Sequence, residues 1–307
     1  STAYSVGNIR RQLATPVVGE ERVFRCTTAG TSAGTEPTWV ITKSATTTDN
    51  DVVWTEVTGQ EAYQATSAWG APFARLVAAY GTGWAAAGDA VYVSHDHAET
   101  QAAAMNIVFP GTAGVVNAVM CVNSTGSVPP VSGDLNTTAT ITTTGANALT
   151  VNSGFAYIQG ITFNSAVGGT SSIFNIATGT ADAWLYFLNC VIKKSGTTGV
   201  NTAILIGSAT LGIRAKVTFD NTVLHFGATA DRLAVRNTEF VWKNTSSALG
   251  GSFIPTTLFP TTNPGEGNVL IEGVDLSAIG SGGTLVPAVT TTKAYTFKDC
   301  KLGASVT

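Results

Sequence analysis

The sequence has 307 residues, of which only 11% are charged, and its formal net charge is −3. Ordinary soluble domains have about 25% charged residues, so Thr, Ser, Asn and Gly must cover much of this surface in place of ion pairs. No run of basic residues suggests a nucleic-acid partner, and no apolar stretch approaches the roughly 20 residues that cross a bilayer, so we expect neither nucleic acid nor membrane as a partner.

Residues 1–60 predict a small N-terminal β module. Residues 23–27 alternate between apolar and polar side chains, as a half-buried strand does, and residues 52–57 read as a second strand. Asp49-Asn50-Asp51 predicts a turn. We expect Trp39 and Trp54 to form the core of this module. Because so short a module buries little apolar area, we expect it to need stabilising contacts with a neighbouring domain or with another subunit.

Four stretches of this module resemble a module that is common in tail fibres and other virion surface proteins of tailed bacteriophages. They are Tyr4-Ser5-Val6-Gly7-Asn8, Phe24-Arg25-Cys26-Thr27-Thr28-Ala29-Gly30-Thr31-Ser32, Glu36-Pro37-Thr38-Trp39 and Val53-Trp54-Thr55-Glu56. The sequence departs from that family at Asp49-Asn50-Asp51, where the family usually has Asp-Gly. Asn tolerates the left-handed conformation, so a hairpin can still form there. The resemblance implies a protein of a phage virion surface.

Residues 61–87 predict a linker and a capping helix. Ala is frequent, and apolar residues recur at helical spacing, namely Phe73, Leu76, Val77 and Tyr80. A strand-like segment, residues 88–94, follows the helix. This order resembles the start of pectin-lyase-like right-handed β-helices, in which a helix covers the open end. The physical reason is that an uncovered first strand exposes a row of unpaired backbone groups.

Residues 88–307 predict a parallel β solenoid. A six-residue pattern, with an apolar residue at each end and Asn, Gly or Asp in third place, occurs six times. Its third residues are Gly160, Asn189, Asn221, Asn237, Gly273 and Asp299. The numbers of residues between successive copies are irregular but scatter around one unit length. This is typical of a solenoid whose loops vary in length while its strands do not. We therefore expect a mainly β fold, a right-handed parallel β-helix with a small N-terminal β module and a capping helix. A β-sandwich is the alternative, but its strands have no reason to share a turn residue at a fixed offset.

The repeat also predicts which residues pack together. The first residues of the six copies should form one buried column, made of Ile158, Phe187, Phe219, Val235, Ile271 and Phe297. The residues Asn189, Asn221 and Asn237 should make tight turns, either left-handed or with stacked side-chain amides. Cys190 and Cys300 follow the turn residue in two copies, and we expect small reduced packing residues there.

The sequence offers few groups for catalysis or for metal binding. His95, His97 and Glu99 would share one face of a strand and are the candidate metal ligands, but a closed site needs more ligands than a His pair supplies. Cleavage of polysaccharide, which many phage tailspikes perform, needs two carboxylates about 5–10 Å apart. The candidates occupy different positions in the repeat; they are Asp182, Asp220, Asp231, Glu239, Glu272, Asp275 and Asp299. We therefore expect no catalytic residue, no cofactor and no metal.

The resemblance to phage proteins implies a structural protein on the virion surface, assembled in the bacterial cytoplasm. Because heptads of a long fibre stalk and paired acids are both missing, we favour a homotrimeric capsid decoration protein that contacts the major capsid protein. The alternative is a tail fibre or tailspike that contacts tail proteins and binds host surface glycan. A host-binding module without catalysis would need an exposed aromatic platform, and the sequence does not decide whether Trp184, Tyr186 and Trp242 share one flank.

Overall fold

The computed structural model describes two compact units. The first contains residues 1–85 and 123–134, and the second contains residues 86–122 and 135–307. Residues 123–134 therefore interrupt the second unit, which the sequence predicts to be continuous from residue 88. Within the described ranges, no helix combines the length and the hydropathy that crossing a membrane requires. The described residues are 1–13, 22–58, 73–81, 85–127, 129–152, 154–169, 173–179, 182–197, 203–210, 215–260, 266–287, 293–304 and 306.

Short strands and a six-residue helix make up the described part of the first unit. They are β1 (Ala3–Tyr4), β2 (Ile9–Arg11), β3 (Val23–Thr28), β4 (Gly30–Thr31), β5 (Thr46–Asp49), β6 (Val52–Glu56) and α1 (Leu76–Gly81), with a 3-10 helix at Ser132–Asp134. One antiparallel sheet has the order β2-β3-β6-β5, and β1 pairs with β4. Residues 61–72 and 82–84 of the predicted linker and helix lie outside the described residues, so the capping role of the helix stays a prediction.

Aromatic rings form the core of the antiparallel sheet. The ring of Trp39 stacks on that of Phe24 with a centroid distance of 4.0 Å, and Trp54 meets Trp39 edge-on at 6.0 Å. Alternation along β6 turns Trp54 inward, where it is fully buried. Asn50 lies in the turn between β5 and β6 and has a φ of 56°, the left-handed conformation that this turn needs. Trp39 and Trp54 both lie in this core.

The second unit consists of short strands within the described residues. They are β7 (Ala90–Ser94), β8 (Ala98–Gln101), β9 (Met105–Ile107), β10 (Asn117–Val122), β11 (Ala139–Gly145), β12 (Leu149–Val151), β13 (Gly154–Gln159), β14 (Ile161–Gly168), β15 (Phe174–Ile176), β16 (Ala183–Leu188), β17 (Val191–Lys194), β18 (Ala203–Ile206), β19 (Ala215–Asp220), β20 (Val223–His225), β21 (Arg232–Val235), β22 (Thr238–Lys243), β23 (Leu249–Gly250), β24 (Asn268–Glu272), β25 (Asp275–Leu276), β26 (Ala294–Lys298) and β27 (Lys301–Leu302).

These strands form long parallel sheets, and from β7 to β23 each of three sheets receives every third strand. Sheet 1 has the order β7-β10-β13-β16-β19-β22-β24-β26, sheet 2 the order β8-β11-β14-β17-β20-β23, and sheet 3 the order β9-β12-β15-β18-β21. The strands β25 and β27 form a further parallel pair. The chain therefore visits the three sheets in turn and adds one strand to each, a topology that is compatible with a β-helix.

The inward-facing residues of sheet 1 form a column of large apolar side chains. The strand register aligns Ile158, Phe187, Phe219, Trp242, Ile271 and Phe297. All are fully buried except Phe297, which lies in the last strand of the sheet and is half-buried. The rings of Phe187 and Phe219 meet edge-on with a centroid distance of 5.4 Å. Aromatic and apolar packing of this kind stabilises a fold whose low content of charged residues allows few ion pairs.

The predicted column is wrong at Val235, and the predicted turn is wrong at Asn237. Val235 ends β21 in sheet 3, where it aligns with Ile206, and Trp242 takes the expected place in sheet 1. Asn237 is buried, and its Nδ2 donates hydrogen bonds to the carbonyl oxygens of Ser208 and Thr210 at 3.0 and 2.8 Å. In the structure, the copy of the six-residue repeat that belongs to sheet 1 begins at Trp242. Its sixth residue is Ser instead of an apolar residue, because the next strand, β23, starts later, at Leu249.

Left-handed residues terminate the strands of sheet 1 from β13 onward. Positive φ angles occur after successive strands at Gly160, Asn189, Asn221, Asn244, Gly273 and Asp299. Asn and Asp tolerate this conformation better than other side chains, which explains the recurrent residue type. The Nδ2 of Asn221 also donates a hydrogen bond to Oδ1 of Asn189 in the preceding copy, at 2.7 Å.

The four cysteines are free thiols. Cys190 is buried, whereas Cys300 is half-buried in the less covered last copy. Burial raises the pKa of the Cys190 thiol to about 12, which leaves this side chain protonated and unreactive in the folded protein.

Candidate ligand-binding face

Aromatic side chains cluster on the outward face of sheet 1. Because successive side chains of a strand point to opposite faces, residues two apart share the outward face. In β13 these residues are Phe155 and Tyr157, and in β16 they are Trp184 and Tyr186. The register sets Phe155 beside Trp184 and Tyr157 beside Tyr186. These four residues are called the aromatic platform below.

Three rings of the aromatic platform, those of Tyr157, Trp184 and Tyr186, lie against one another, and all four platform residues remain partly open to solvent. Tyr157 and Tyr186 are stacked, with a centroid distance of 5.7 Å and an angle of 22° between the ring planes. Trp184 and Tyr186 lie 5.9 Å apart with a tilt of 36°. All four platform residues are half-buried, whereas their inward-facing neighbours in the same strands are buried. The platform is therefore an apolar surface patch with preset ring orientations.

A polar network borders the platform and fixes the position of Tyr186. The hydroxyl of Tyr186 donates a hydrogen bond to Oδ2 of Asp220. The same oxygen lies 3.2 Å from Nζ of Lys243, and Nδ2 of Asn244 donates to Oδ1 of Asp220 at 3.0 Å. The ammonium of Lys243 also lies 5.6 Å from the centre of the Tyr186 ring, within cation–π range. Asp220 therefore ties the platform to the two following strands.

The network sets the charge states of its members. Burial would raise the pKa of the Asp220 carboxyl, but the hydrogen bonds from Tyr186, Asn244 and Lys243 outweigh it and lower that pKa below its ordinary value. The hydrogen bond to Asp220 raises the pKa of Lys243. Burial, followed by the hydrogen bond to Asp220, raises the pKa of the Tyr186 hydroxyl. At neutral pH the network consequently holds a carboxylate, an ammonium and a neutral phenol.

We expect the Asp220→Asn variant to lose stability at neutral pH but not in acid. The pKa of Asp220 is lower in the folded protein than the value of about 3.9 in an unfolded chain, so its contribution is complete above about pH 4 and disappears as the pH falls through the folded-state pKa. Denaturant unfolding of both proteins at several pH values between 7 and 3 should show the difference shrinking in acid. The same difference at every pH would contradict the assigned network.

The charged border of the platform continues along sheet 1 with alternating sign. The register aligns Asp220, Lys243, Glu272 and Lys298 in successive strands. Lys298 forms an ion pair with Glu272, as Lys243 does with Asp220. Opposite charges directly across neighbouring strands stabilise a sheet, so this column favours the observed register.

The platform contains two of the three aromatic residues that the sequence suggested for it. Trp184 and Tyr186 share the outward face, but Trp242 is fully buried and its indole N–H donates to the carbonyl oxygen of Thr222 at 2.9 Å. Phe155 and Tyr157 also belong to the platform and were not among the predicted aromatic residues. A comparison of the copies would have found them, because aromatic residues stand five and three places before Gly160, as they do before Asn189.

The candidate metal ligands do not share a strand as the sequence predicts. The strand β7 ends at Ser94, and the N–H of His97 donates to the carbonyl oxygen of Ser94 in a tight turn before β8 begins. This turn separates His95 from Glu99. His97 Nε2 and Glu99 Oε2 are 3.5 Å apart, an ion pair when the histidine is protonated. In the described part of the chain, no group of three or more His, Cys, Asp or Glu side chains is placed to hold a metal.

Several of the candidate carboxylates are engaged by lysine. Asp220 pairs with Lys243, Asp231 with Lys194, Glu272 with Lys298, and Asp275 with Lys301. Asp231 is fully buried and therefore cannot reach a surface ligand. Glu239 is exposed on the outward face of sheet 1, in register with Lys216 of β19. These contacts give the acids structural roles in the strand stacking.

The chain matches no protein-family model, and comparisons with curated proteins and with solved structures find no significant similarity.

Proposed function

We propose that this chain is a glycan-binding surface protein of a tailed-phage virion, with a right-handed parallel β-helix as its rigid support. The observation that carries the proposal is the aromatic platform, in which Tyr157 and Tyr186 stack on neighbouring strands beside Trp184. The proposal assigns binding to the platform and no catalytic step to it.

An aromatic surface bordered by polar groups suits a sugar ring. One face of a pyranose carries C–H groups and packs on an aromatic ring, while its hydroxyls reach polar groups at the edge. The platform supplies the apolar rings, and Trp184 and Tyr157 add an N–H and an O–H at its surface. Because the rings are held by sheet register and by Asp220, binding does not require them to be ordered first.

The architecture supports the right-handed β-helix in this proposal. Each return to sheet 1 is a crossover between parallel strands of one sheet, since β13 and β16 are neighbours with β14 and β15 between them in the chain. Crossovers of this type are right-handed in about 98% of proteins, because a right-twisted strand packs back onto its sheet only in that sense. The same handedness belongs to the pectin-lyase-like proteins that the sequence resembles.

The virion location rests on the resemblance of residues 4–57 to the phage surface module. In this setting the natural ligand is a glycan of the host surface, and the partners of the chain are further copies of itself and tail proteins. A chain with only 11% charged residues suits broad contacts with such partners, because few charges need to be desolvated.

The Trp184→Ala variant should bind bacterial surface oligosaccharides at least about 30-fold more weakly than the wild type. A large aromatic residue at the centre of a binding surface typically contributes about 2 kcal/mol or more, which corresponds to that factor. Calorimetric titration with oligosaccharides prepared from lipopolysaccharide and capsule of candidate hosts would measure it. Thr296→Ala is a matched control. Thr296 is exposed and belongs to the same outward column of sheet 1 as Tyr186, but it lies four strands from Tyr186, about 19 Å along the sheet.

Unchanged affinity in Trp184→Ala would exclude the platform as the binding surface. Hydrolysis of the oligosaccharides by the wild type would show a catalytic tailspike and contradict the assignment of binding alone. Immunogold labelling of virions provides a further test, because a glycan-binding role predicts label at the tail.

A homotrimeric capsid decoration protein is the second candidate. The observation in its favour is the last strand of sheet 1, where the inward residues Tyr295 and Phe297 are only half-buried, while the aligned residues of earlier strands are buried. Apolar side chains left partly open in this way favour contact with another chain. Label over the whole capsid, together with a trimer mass in solution, would favour decoration over glycan binding at the tail.

A further inference from the structure

The free polar groups at the aromatic platform are mainly hydrogen-bond donors. Among the described residues, none accepts a hydrogen bond from the indole N–H of Trp184 or from the hydroxyl of Tyr157. Both carboxylate oxygens of Asp220 already accept within the network, because Oδ2 receives Tyr186 and Lys243 and Oδ1 receives Asn244. A ligand that offers acceptors can therefore receive hydrogen bonds from both groups.

A lysine to which no described residue offers an ion-pair partner lies directly beside Trp184. The register aligns Lys216 of β19 with Trp184 of β16, one strand spacing of about 4.8 Å away. Lys216 is exposed, and it forms no ion pair or hydrogen bond with any residue that the structure describes, Glu239 in the next strand included. In contrast, Lys243 at the other border of the platform is neutralised by Asp220. Lys216 is therefore the ammonium that the register places beside Trp184, with the carboxylates of Asp182 and Glu239 as the neighbouring negative charges.

We propose that the ligand of the aromatic platform is an acidic glycan, in which a sugar ring stacks on Trp184 and its carboxylate pairs with Lys216. This inference rests on the glycan-binding function proposed above and names the class of sugar. A carboxylate is the strongest acceptor that a sugar carries, and it can accept from the indole N–H of Trp184 while it pairs with the ammonium of Lys216. Glu239, the next charge along the column, limits the space for a second anionic group.

The test compares carboxylated oligosaccharides with their carboxyl-reduced forms, in which CH2OH replaces the carboxylate. The probes are glucuronate-, galacturonate- and sialate-containing oligosaccharides, each in both forms, titrated into the full-length protein. The wild type should bind at least one carboxylated probe about tenfold more tightly than its reduced form, and added salt should weaken only the carboxylated form. Lys216→Met should abolish this preference without changing the affinity for the reduced form. Glu239→Gln should strengthen the preference by removing a nearby negative charge.

The controls separate this inference from the function on which it rests. Lys193→Met removes a lysine from the outward face of sheet 2 and should leave both affinities unchanged. If both forms bind equally well and Trp184→Ala weakens both, the ligand is a neutral glycan and the inference about Lys216 is wrong, while the proposed function stands. If neither form of any probe binds, the glycan-binding function itself is contradicted.

Discussion

Replacement of Lys194 by methionine should destabilise the second unit by about 3–5 kcal/mol, because it removes a buried counterion of a buried carboxylate. Lys194 and Asp231 are both fully buried, and Nζ lies 2.9 Å from Oδ2 of Asp231. The ammonium also donates to the carbonyl oxygen of Gly196 at 2.7 Å. Since Asp231 is held by the N–H groups of Gly227 and Ala228, each at 2.9 Å, it cannot move to water when the lysine is removed.

Two further variants separate the effect of breaking the ion pair from the effect of replacing a lysine side chain. Lys193→Met changes the neighbouring, half-buried lysine of β17 and should cost less than about 0.5 kcal/mol. Adding Asp231→Asn to Lys194→Met should restore part of the lost stability, because the amide oxygen still accepts the backbone hydrogen bonds without a charge. Denaturant unfolding followed by thiol labelling of Cys190 reports on the second unit, while Cys26 reports on the first. Equal stability of the wild type and Lys194→Met would refute the buried pair.

The Phe219→Ala variant should lose about 3–5 kcal/mol, the usual cost of removing a buried phenylalanine ring. Phe219 is fully buried in the middle of the inward column, between Phe187 and Trp242 in the register. Its ring also meets Phe240 edge-on with a centroid distance of 5.1 Å. The neighbouring strands are fixed by their own hydrogen bonds, so we expect the cavity to close only partly.

The matched control for Phe219→Ala is Lys216→Ala in the same strand. Lys216 points outward and is exposed, so its truncation should change the unfolding free energy by less than about 0.5 kcal/mol. The same unfolding experiment with Cys190 labelling serves for both variants. A loss of less than about 1 kcal/mol in Phe219→Ala would mean that this ring does not fill the interior of the column.

The repeat pattern predicted the parallel strands of the second unit because it reflects two local requirements of each strand. From β13 onward, a large apolar residue must face inward in each strand of sheet 1, and a residue that tolerates positive φ must follow two places later. Phe187 with Asn189 and Phe219 with Asn221 satisfy both requirements. The pattern gave a wrong prediction at Val235 and Asn237. These two residues match the spacing of the repeat by chance, although they do not lie in a strand of sheet 1 and the turn after it.

The candidate site was only partly predictable. Trp184 and Tyr186 are two residues apart, so a strand places them on the same face, and this much follows from the sequence. The contacts of Tyr186 with Tyr157 and with Asp220 join residues 29 and 34 positions apart through the register of neighbouring strands. No local pattern fixes that register.

For this protein, the sequence by itself determined the mainly β character, the recurrent turn residues and the apolar positions of most strands, because backbone conformation and side-chain alternation are local properties. The tertiary structure decided which strands are neighbours, and with that which outward residues meet. The burial of Trp242, the Lys194–Asp231 pair and the platform beside Lys216 all depend on how many residues each loop contains before the chain returns to the same sheet. Loop length is free to vary in a solenoid, so the strand register, and the candidate site with it, appears only when the chain is folded.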